Sequence, residues 1–421
     1  MFYYKNTLML DPNRIRKNPD EVKTALKNRG LSVKLVDDFL LIDGEWRAAN
    51  VEVDKLRAGQ KRLSSPLIVE EARKNKETLR PKEKELAALA AKRGALLEEF
   101  PNIPFSDVPV GKSEKDNKVI REKGARPQFS FKPREYMEVD AAKKMIDTER
   151  ASKVSGSRFG YLVGDAVLLE FALVRLAFEK LVSNGFIPVI PPVMIRPEAY
   201  KGMGRLAGDQ KEERYYLEKD DIYLVGSSEH TLGPLHMGEV LDEKTLPRRY
   251  AGFSTCFRRE AGSYGKDTKG ILRVHQFDKV EMFSFAKPED SDNEHKFLLS
   301  CQEELMNELE LPYRVVEICT GDMGWTDARQ YDIEVWLPGQ NQYRESHSCS
   351  NTTDFQARGI SARYKETRDK RQETSYLHML NATALAIGRI LIAIIENYQT
   401  EKSAIKVPKA LQSYVGKEEI S

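Results

Sequence analysis

The densest collection of side chains able to do chemistry lies in the run FRREAGSYGKDTKGILRVHQFDKVEMF, residues 257–283. Read as two strands around the loop GSYGKDTKG, its period-two alternation places Arg258 and Glu260 on one face of the first strand. Arg273, His275, Phe277, Lys279 and Glu281 share a face of the second. Two arginines, two carboxylates and a phenylalanine projecting together are costly to bury without partners. The face therefore asks for a charged, planar ligand. The glycines and lysines of the loop predict a flexible, cationic tip.

Neither common nucleotide fold supplies that site, because the chain has no GxxxxGK[ST] loop and no strand-GxGxxG-helix. Cys256, Cys301, Cys319 and Cys349 form no CxxC pair, so no structural zinc and no disulfide framework are expected, and a reducing cytoplasm is the expected setting. His230, His236, His275, His347 and His378 are read as structural, and Cys349 as a small packing residue. The opening MFYYKNTLMLDPNRIR has neither the apolar core of a signal peptide nor the acid-poor, Arg- and Ser-rich character of a transit peptide. The best apolar run, Ala384 to Ile395, is interrupted by Arg389 and falls short of the ~18 residues a span needs, so no membrane segment is expected.

With 421 residues, 40% hydrophobic and 31% charged, the chain reads as a folded protein of two or three domains with a highly charged surface. Lys+Arg 67 against Asp+Glu 65 excludes a general basic field, and any polyanion must meet local patches. Phe39, Ile42, Trp46, Ala49, Val53, Leu56 and Leu63 recur at helical spacing, as do Ala72, Leu79, Leu86, Leu89, Leu96 and Phe100. The break Ser64-Ser65-Pro66 between them predicts an antiparallel helical hairpin, and Pro81 is expected to kink or restart its second helix. Its outer face carries Arg57, Lys61, Arg62, Arg73, Lys74, Lys76 and Arg80 among acids, as solvated helices do. The prolines and glycines of 101–133 read as a linker. Beyond it come a helix over 168–181, a short extended run in NGFIPVIPP, strands over 249–260, 271–285, 313–319 and 331–337, and a closing helix over roughly 383–398. Mostly antiparallel strands with flanking helices make the expected class α+β.

The arginine- and glutamate-bearing run resembles motif 2 of the class II aminoacyl-tRNA synthetases, and in detail the seryl-tRNA synthetase family. NGFIPVIPPVM resembles motif 1 with its dimer-interface proline, VGSSEHTL the Thr-x-Glu serine loop, EVWLPGQNQYRESHSCSNTTDFQARG the Glu-x-x-Ser-Cys-Ser-Asn segment, and HMLNATALAIGRILIAIIENYQ motif 3. The N-terminal hairpin resembles the family's tRNA-binding arm. The order and spacing of these motifs carry the resemblance over nearly the whole chain. It implies a tRNA-binding domain with a helical arm over 1–110, a linker over 111–135 and a class II catalytic domain with a mainly antiparallel sheet over 136–421.

The resemblance also implies roles. Arg258, Arg273, Glu345 and Arg389 would be the catalytic set. For ATP, Arg258 would hold the α-phosphate, Glu260 the adenine amino group, Phe277 one ring face, and Arg273 the terminal phosphates, with Val274 beside them, while Arg389 would stack on the other ring face or pair with phosphate. Glu345 and Ser348 would hold Mg2+ with phosphate oxygens. Serine would meet Ser227, Glu229, Arg258, Glu281, Asn381 and Thr383. Arg57, Lys61, Arg62, Arg73, Lys74 and Lys76 would touch tRNA(Ser), with tRNA(Sec) as a second candidate substrate. Motif 1 implies a homodimer.

Three positions depart from the family's pattern: Ser227 stands for the loop's threonine, His347 for a small or aliphatic residue, and Ala382 for a glycine. None removes a charged group. The alternative function is a catalytically altered paralogue that binds tRNA or serves a structural role. Such a protein would be expected to have lost one of Arg258, Glu281, Glu345 or Arg389, and all four are present.

Overall fold

The computed structural model describes residues 9–62, 69–261, 269–366 and 373–421. The expected break at Ser64-Ser65-Pro66 and most of the expected loop tip lie outside these residues. The chain divides into two compact units, 1–103 and 104–421. No helix among the described residues is long and apolar enough to cross a membrane.

In the first unit, short helices Pro12–Lys17 and Pro19–Asn28 precede two long ones, α1 (Lys34–Arg62) and α2 (Val69–Glu98). Contacts between the long helices run in opposite senses along the two sequences. Asp43 meets Arg93 at 2.7 Å, Glu52 meets Lys82 at 3.0 Å, and the Asn75 side chain donates to Leu56 O at 2.9 Å. The pair is therefore antiparallel, and apolar stripes closing on each other account for helices of this length. At its base Phe39 and Phe100 stack edge to face, 5.9 Å apart. Buried Asp43 accepts from Arg16, Arg47 and Arg93 there. Desolvation pushes its carboxyl up, and the bonds to Arg16 and Arg93 overcome that and hold it low. The helix does not restart at Pro81, because α2 runs through it. Pro81 is exposed, so solvent can serve the carbonyl it leaves without a donor, while Lys82 and Glu83 tie the next turn to Glu52 and Arg57.

The second unit is built on one eight-stranded sheet. Its strands are β1 (Lys118–Lys123), β2 (Ile187–Val189), β3 (Arg248–Phe257), β4 (Gln276–Ala286), β5 (Tyr313–Glu317), β6 (Arg329–Leu337), β7 (Gln342–Asn351) and β8 (His378–Ala386). The spatial order is β1-β5-β6-β7-β8-β4-β3-β2, and every pairing is antiparallel except that of β2 with β3. Helices α3 (Asp165–Ser183), α4 (Ser291–Glu308) and α5 (Ile387–Asn397) flank it, so the class is α+β. The central strands are covered on both faces: Val280 and Met282 of β4 join one core cluster, Phe283 and Phe285 another.

Three sequence expectations are corrected. The segment 111–135 is not a free linker, because β1 lies within it and pairs with β5 at the sheet edge. The closing helix begins at Ile387, not near Thr383. Residues 378–386 are strand β8, whose backbone is paired with β4 and, over 380–382, with β7 on its other side, a tertiary demand that overrides local helical periodicity. The hairpin strands are also shorter than expected. β3 ends at Phe257 and β4 starts at Gln276, while Glu260 takes the left-handed backbone conformation at φ 52°. Alternation thus governs Phe277, Lys279 and Glu281, whereas Arg258, Glu260 and Arg273 are placed by turns.

Candidate active site

Those turns nevertheless converge. The Arg258 N–H donates to His275 O at 2.9 Å, closing the hairpin just past its strands. One cavity is then lined by Arg258, Glu260, Arg273, Val274, Phe277, Glu345, Ser348, Thr383 and Arg389, all of them expected site residues, and by Lys279 and Ser346, which were not. The Arg258 guanidinium lies 5.2 Å from the Phe277 ring centroid and donates through Nε to Gly226 O at 3.1 Å. Arg273 Nη1 is 3.7 Å from Glu260 Oε2. From α5, Arg389 Nη1 reaches both the carboxylate and the backbone carbonyl of Glu345, at 3.2 and 2.9 Å.

Glu345 keeps half its side chain open to this cavity (52%). Desolvation pushes its carboxyl up, but Arg389, Arg258 and Arg273 outweigh that and hold it below the ordinary range. The cavity therefore presents three guanidiniums, the Lys279 ammonium, the carboxyl groups of Glu260 and Glu345 and an aromatic face. That set suits a polyanion carrying a planar ring.

Against the cavity lies a drier pocket. Glu281 is 1% exposed and faces Thr383 in direct register between β4 and β8. Glu281 Oε2 accepts from Thr383 Oγ1 at 3.3 Å and from Lys279 Nζ at 2.5 Å. Burial pushes the Glu281 carboxyl up; Lys279 opposes the shift and Glu229 adds to it. Asn381, two residues before Thr383 on β8, is also buried, and its Nδ2 has no partner among the described residues. An unpaired buried donor is costly, so its place fits a ligand-facing group.

The loop carrying Ser227 and Glu229 packs directly on β3. Gly252, opposite Glu281, makes that possible: a Cβ there would come within 2.7 Å of Leu232 Cδ1 and 3.2 Å of Ser228 Oγ. Ser227 Oγ accepts from the Glu229 N–H at 3.2 Å. Glu229 Oε1 is held by Arg205 at 2.8 Å and His230 Nε2 at 3.1 Å. Burial drives His230 down to about 3, leaving it neutral; Nδ1 takes the Gly226 N–H and Nε2 donates to Glu229. Desolvation pushes Glu229 up, yet Arg205 and His230 hold it well below the usual carboxylate range.

The sequence reading missed Lys279 and Arg205 as site residues. Lys279 had a signal, its place on the Glu281 face two residues earlier. Arg205 had none, because only the fold brings GMGRLAGD against Glu229.

On the arm, Arg57, Lys61, Arg73, Lys74 and Lys76 are exposed, while the side chain of Arg62 lies outside the described residues. Arg57 pairs with Glu83 at 2.9 Å and Arg73 with Glu77 at 3.8 Å, so both already have acidic neighbours. The four cysteines are free and buried. Among the described residues, no group of three or more His, Cys, Asp or Glu side chains is placed to hold a metal by itself.

An antiparallel sheet carrying this arginine-lined cavity, closed by an arginine-bearing helix, defines a class II aminoacyl-tRNA synthetase. Residues 213–398 match the family described as tRNA synthetase class II core domain (G, H, P, S and T), and residues 9–104 the Seryl-tRNA synthetase N-terminal domain. The serine–tRNA ligase of Acidothermus cellulolyticus is 46% identical over 420 residues, covering 97% of this chain and 98% of that protein. The seryl-tRNA synthetase of Pyrococcus horikoshii, solved in complex with ATP, superposes with a TM-score of 0.91 at 40% identity, covering 98% and 99% of the two chains. The cytoplasmic serine–tRNA ligase of Naegleria fowleri, solved with AMP, gives 0.88 at 33% identity and 98% of each chain. The chain belongs to the seryl-tRNA synthetase family.

Proposed function

We infer that this chain is a serine–tRNA ligase that activates L-serine with ATP and transfers the seryl group to tRNA(Ser). The observation that carries the reading is the junction of two sites: Lys279 and Thr383 line the arginine-rich cavity and both contact the buried Glu281 carboxylate. Charge suited to phosphates thus adjoins polar groups suited to a small amino acid.

In the first step a serine carboxylate oxygen bonds to the α-phosphorus, the bond to the pyrophosphate oxygen breaks, and seryl-adenylate forms. In the second a terminal ribose hydroxyl of tRNA attacks the seryl carbonyl and AMP leaves. No protein nucleophile enters either step. The protein supplies alignment and fixed positive charge, which stabilise charge developing at phosphorus. Arg258 takes the α-phosphate side, Arg273 the terminal phosphates, and Phe277, Glu260, Val274 and Arg389 the adenine. Glu281, Thr383, Asn381, Ser227 and Glu229 surround serine.

Glu345 and Ser348 lie on the same cavity and offer hard oxygens, one held ionised, so they fit Mg2+ shared with ATP phosphates. When bound, the ion neutralises phosphate charge.

The exposed Leu168 and Phe171 of α3, with Ile187 of β2 and Ile190 after it, support a homodimer through this apolar face. The cytoplasm is the proposed compartment, in keeping with the four free thiols. The arm is proposed to bind tRNA(Ser), and tRNA(Sec) by the same shape-reading contacts. Aminoacylation of tRNA(Ser) and tRNA(Sec) transcripts with labelled serine tests the reading: charging of tRNA(Ser) is expected, and no charging of either contradicts it.

A further inference from the structure

The ligase reading, on which this inference rests, leaves Lys279 without a role. Lys279 is 5% exposed and Glu281 1%, and their charged atoms are 2.5 Å apart. A buried ammonium is costly unless paired, and Glu281 is the acid it touches. The two residues stand side by side on β4, and the glutamate oxygen bound by Lys279 also accepts from Thr383.

Other groups face the Glu281 carboxylate. Glu229 approaches from the serine loop with Arg205 beside it, Arg258 from the end of β3, Cys256 from β3, Cys349 from β7 and Thr383 from β8. Glu229 repels it, and its own charge is matched by Arg205 and His230. Lys279 is thus the cation in direct contact with Glu281 that favours its ionised form before any substrate arrives, and Arg258 and the Thr383 hydroxyl act in the same sense. The state matters chemically: a carboxylate is an acceptor only, able to receive the hydroxyl and ammonium protons of serine, whereas a neutral carboxyl turns a donor toward them.

We infer that Lys279 is a positioning residue for serine selection: its ammonium fixes Glu281 in place as an ionised acceptor aimed, beside Thr383, at the substrate side chain. It acts through Glu281 and not on the reacting atoms.

The test is serine-dependent ATP–pyrophosphate exchange by the full chain from about pH 5.5 to about pH 9, for wild type, Lys279→Met and Lys279→Arg, with KM for ATP measured alongside. In Lys279→Met the inflexion in kcat/KM for serine is expected at least about one unit above that of wild type, with activity falling roughly tenfold per pH unit below it and KM for ATP unchanged. Lys279→Arg restores the wild-type profile. A uniform loss at every pH, a changed KM for ATP, or a wild-type profile in Lys279→Met overturns the inference. Should the methionine variant not fold, Lys279→Gln, which keeps a donor without the charge, carries the same expectation. Wild-type protein silent with serine at every pH would instead overturn the ligase reading.

Discussion

Thr383 Oγ1 donates to Glu281 Oε2 at 3.3 Å across directly paired positions of β8 and β4. Both residues are buried, so a substrate hydroxyl entering here joins an existing polar pair and is not solvated by water. A site built to bond a hydroxyl rejects the analogue lacking it by about 10⁴ to 10⁵, because its polar groups are left unpaired. Thr383→Val keeps the shape and removes the donor. A hydrogen bond to a charged group is worth about 1.5–3 kcal/mol, so kcat/KM for serine should fall about 10- to 100-fold. KM for ATP should not move, and exchange kinetics at varied serine and ATP check both.

Arg258 touches the fold as well as the cavity. Its Nε bonds Gly226 O, and its guanidinium lies over Phe277. An arginine serving the ligand alone would be replaceable at no more than about 0.5 kcal/mol, and the structure raises that figure. Arg258→Ala is expected to lose about 1 kcal/mol of stability for the bond to Gly226 while adenylate formation falls at least about 10³-fold. Thermal melting and single-turnover adenylation separate the two effects. Residual adenylation with a collapsed melting temperature would mark a purely structural arginine.

Buried histidines make the fold acid-sensitive. Desolvation drives His295 and His347 down to about 4 and His230 to about 3. Their folded-state affinities lie below the unfolded value of 6.5, so the stability they contribute is present above pH 6.5 and lost as pH falls toward 4. Each accounts for about 1.4 kcal/mol per pH unit in that window. Glu170 and Glu396 act in the opposite sense: burial raises them to about 8 and about 7, so their contribution is lost as pH rises through those values. His347→Leu isolates one histidine, because every other group cancels in the comparison. The variant should gain on wild type by about 1.4 kcal/mol per unit as pH falls from about 6.5 to about 5, read from denaturant midpoints. A pH-independent difference would contradict a neutral, buried His347.

Lys74 and Lys76 are exposed on α2 of the arm. If they neutralise phosphates of an RNA stem, replacing both by glutamate should weaken tRNA affinity and reduce the log-log salt slope by about 0.7–0.9 per lysine, while serine-dependent exchange stays at the wild-type level. Filter binding at several salt concentrations reads the slope. An unchanged slope would remove them from the interface. A truncation meant to delete the arm should begin at Pro104: the Phe105 N–H bonds Ala328 O, and Gly111 O accepts from the Gly321 N–H, so both belong to the second unit.

Much of this architecture was legible in the residues. The arm followed from two apolar stripes around a polar break, and the α+β class from alternating strands. The rest depended on information that single segments do not carry. Thr383 to Ala386 look helical because they lead into the apolar run of α5, yet strand pairing claims them. Lys118–Lys123 is too charged to read as a strand, and only its edge position beside β5 makes it one. Arg258, Glu260 and Arg273 were drawn together by strand alternation, although turns around the left-handed Glu260 put them there. Arg205 reaches Glu229 from a segment with no pattern of its own.

The central claim is that the cavity lined by Arg258, Arg273, Glu345 and Arg389, joined to the Glu281–Thr383 pocket, activates serine and no other amino acid. ATP–pyrophosphate exchange with each of the twenty amino acids, run on wild type and on Arg258→Ala, tests it most directly. Exchange is predicted with serine, with alanine at background and with all twenty silent in the variant. Exchange with alanine near the serine level, or none with serine in the wild-type protein, would contradict it.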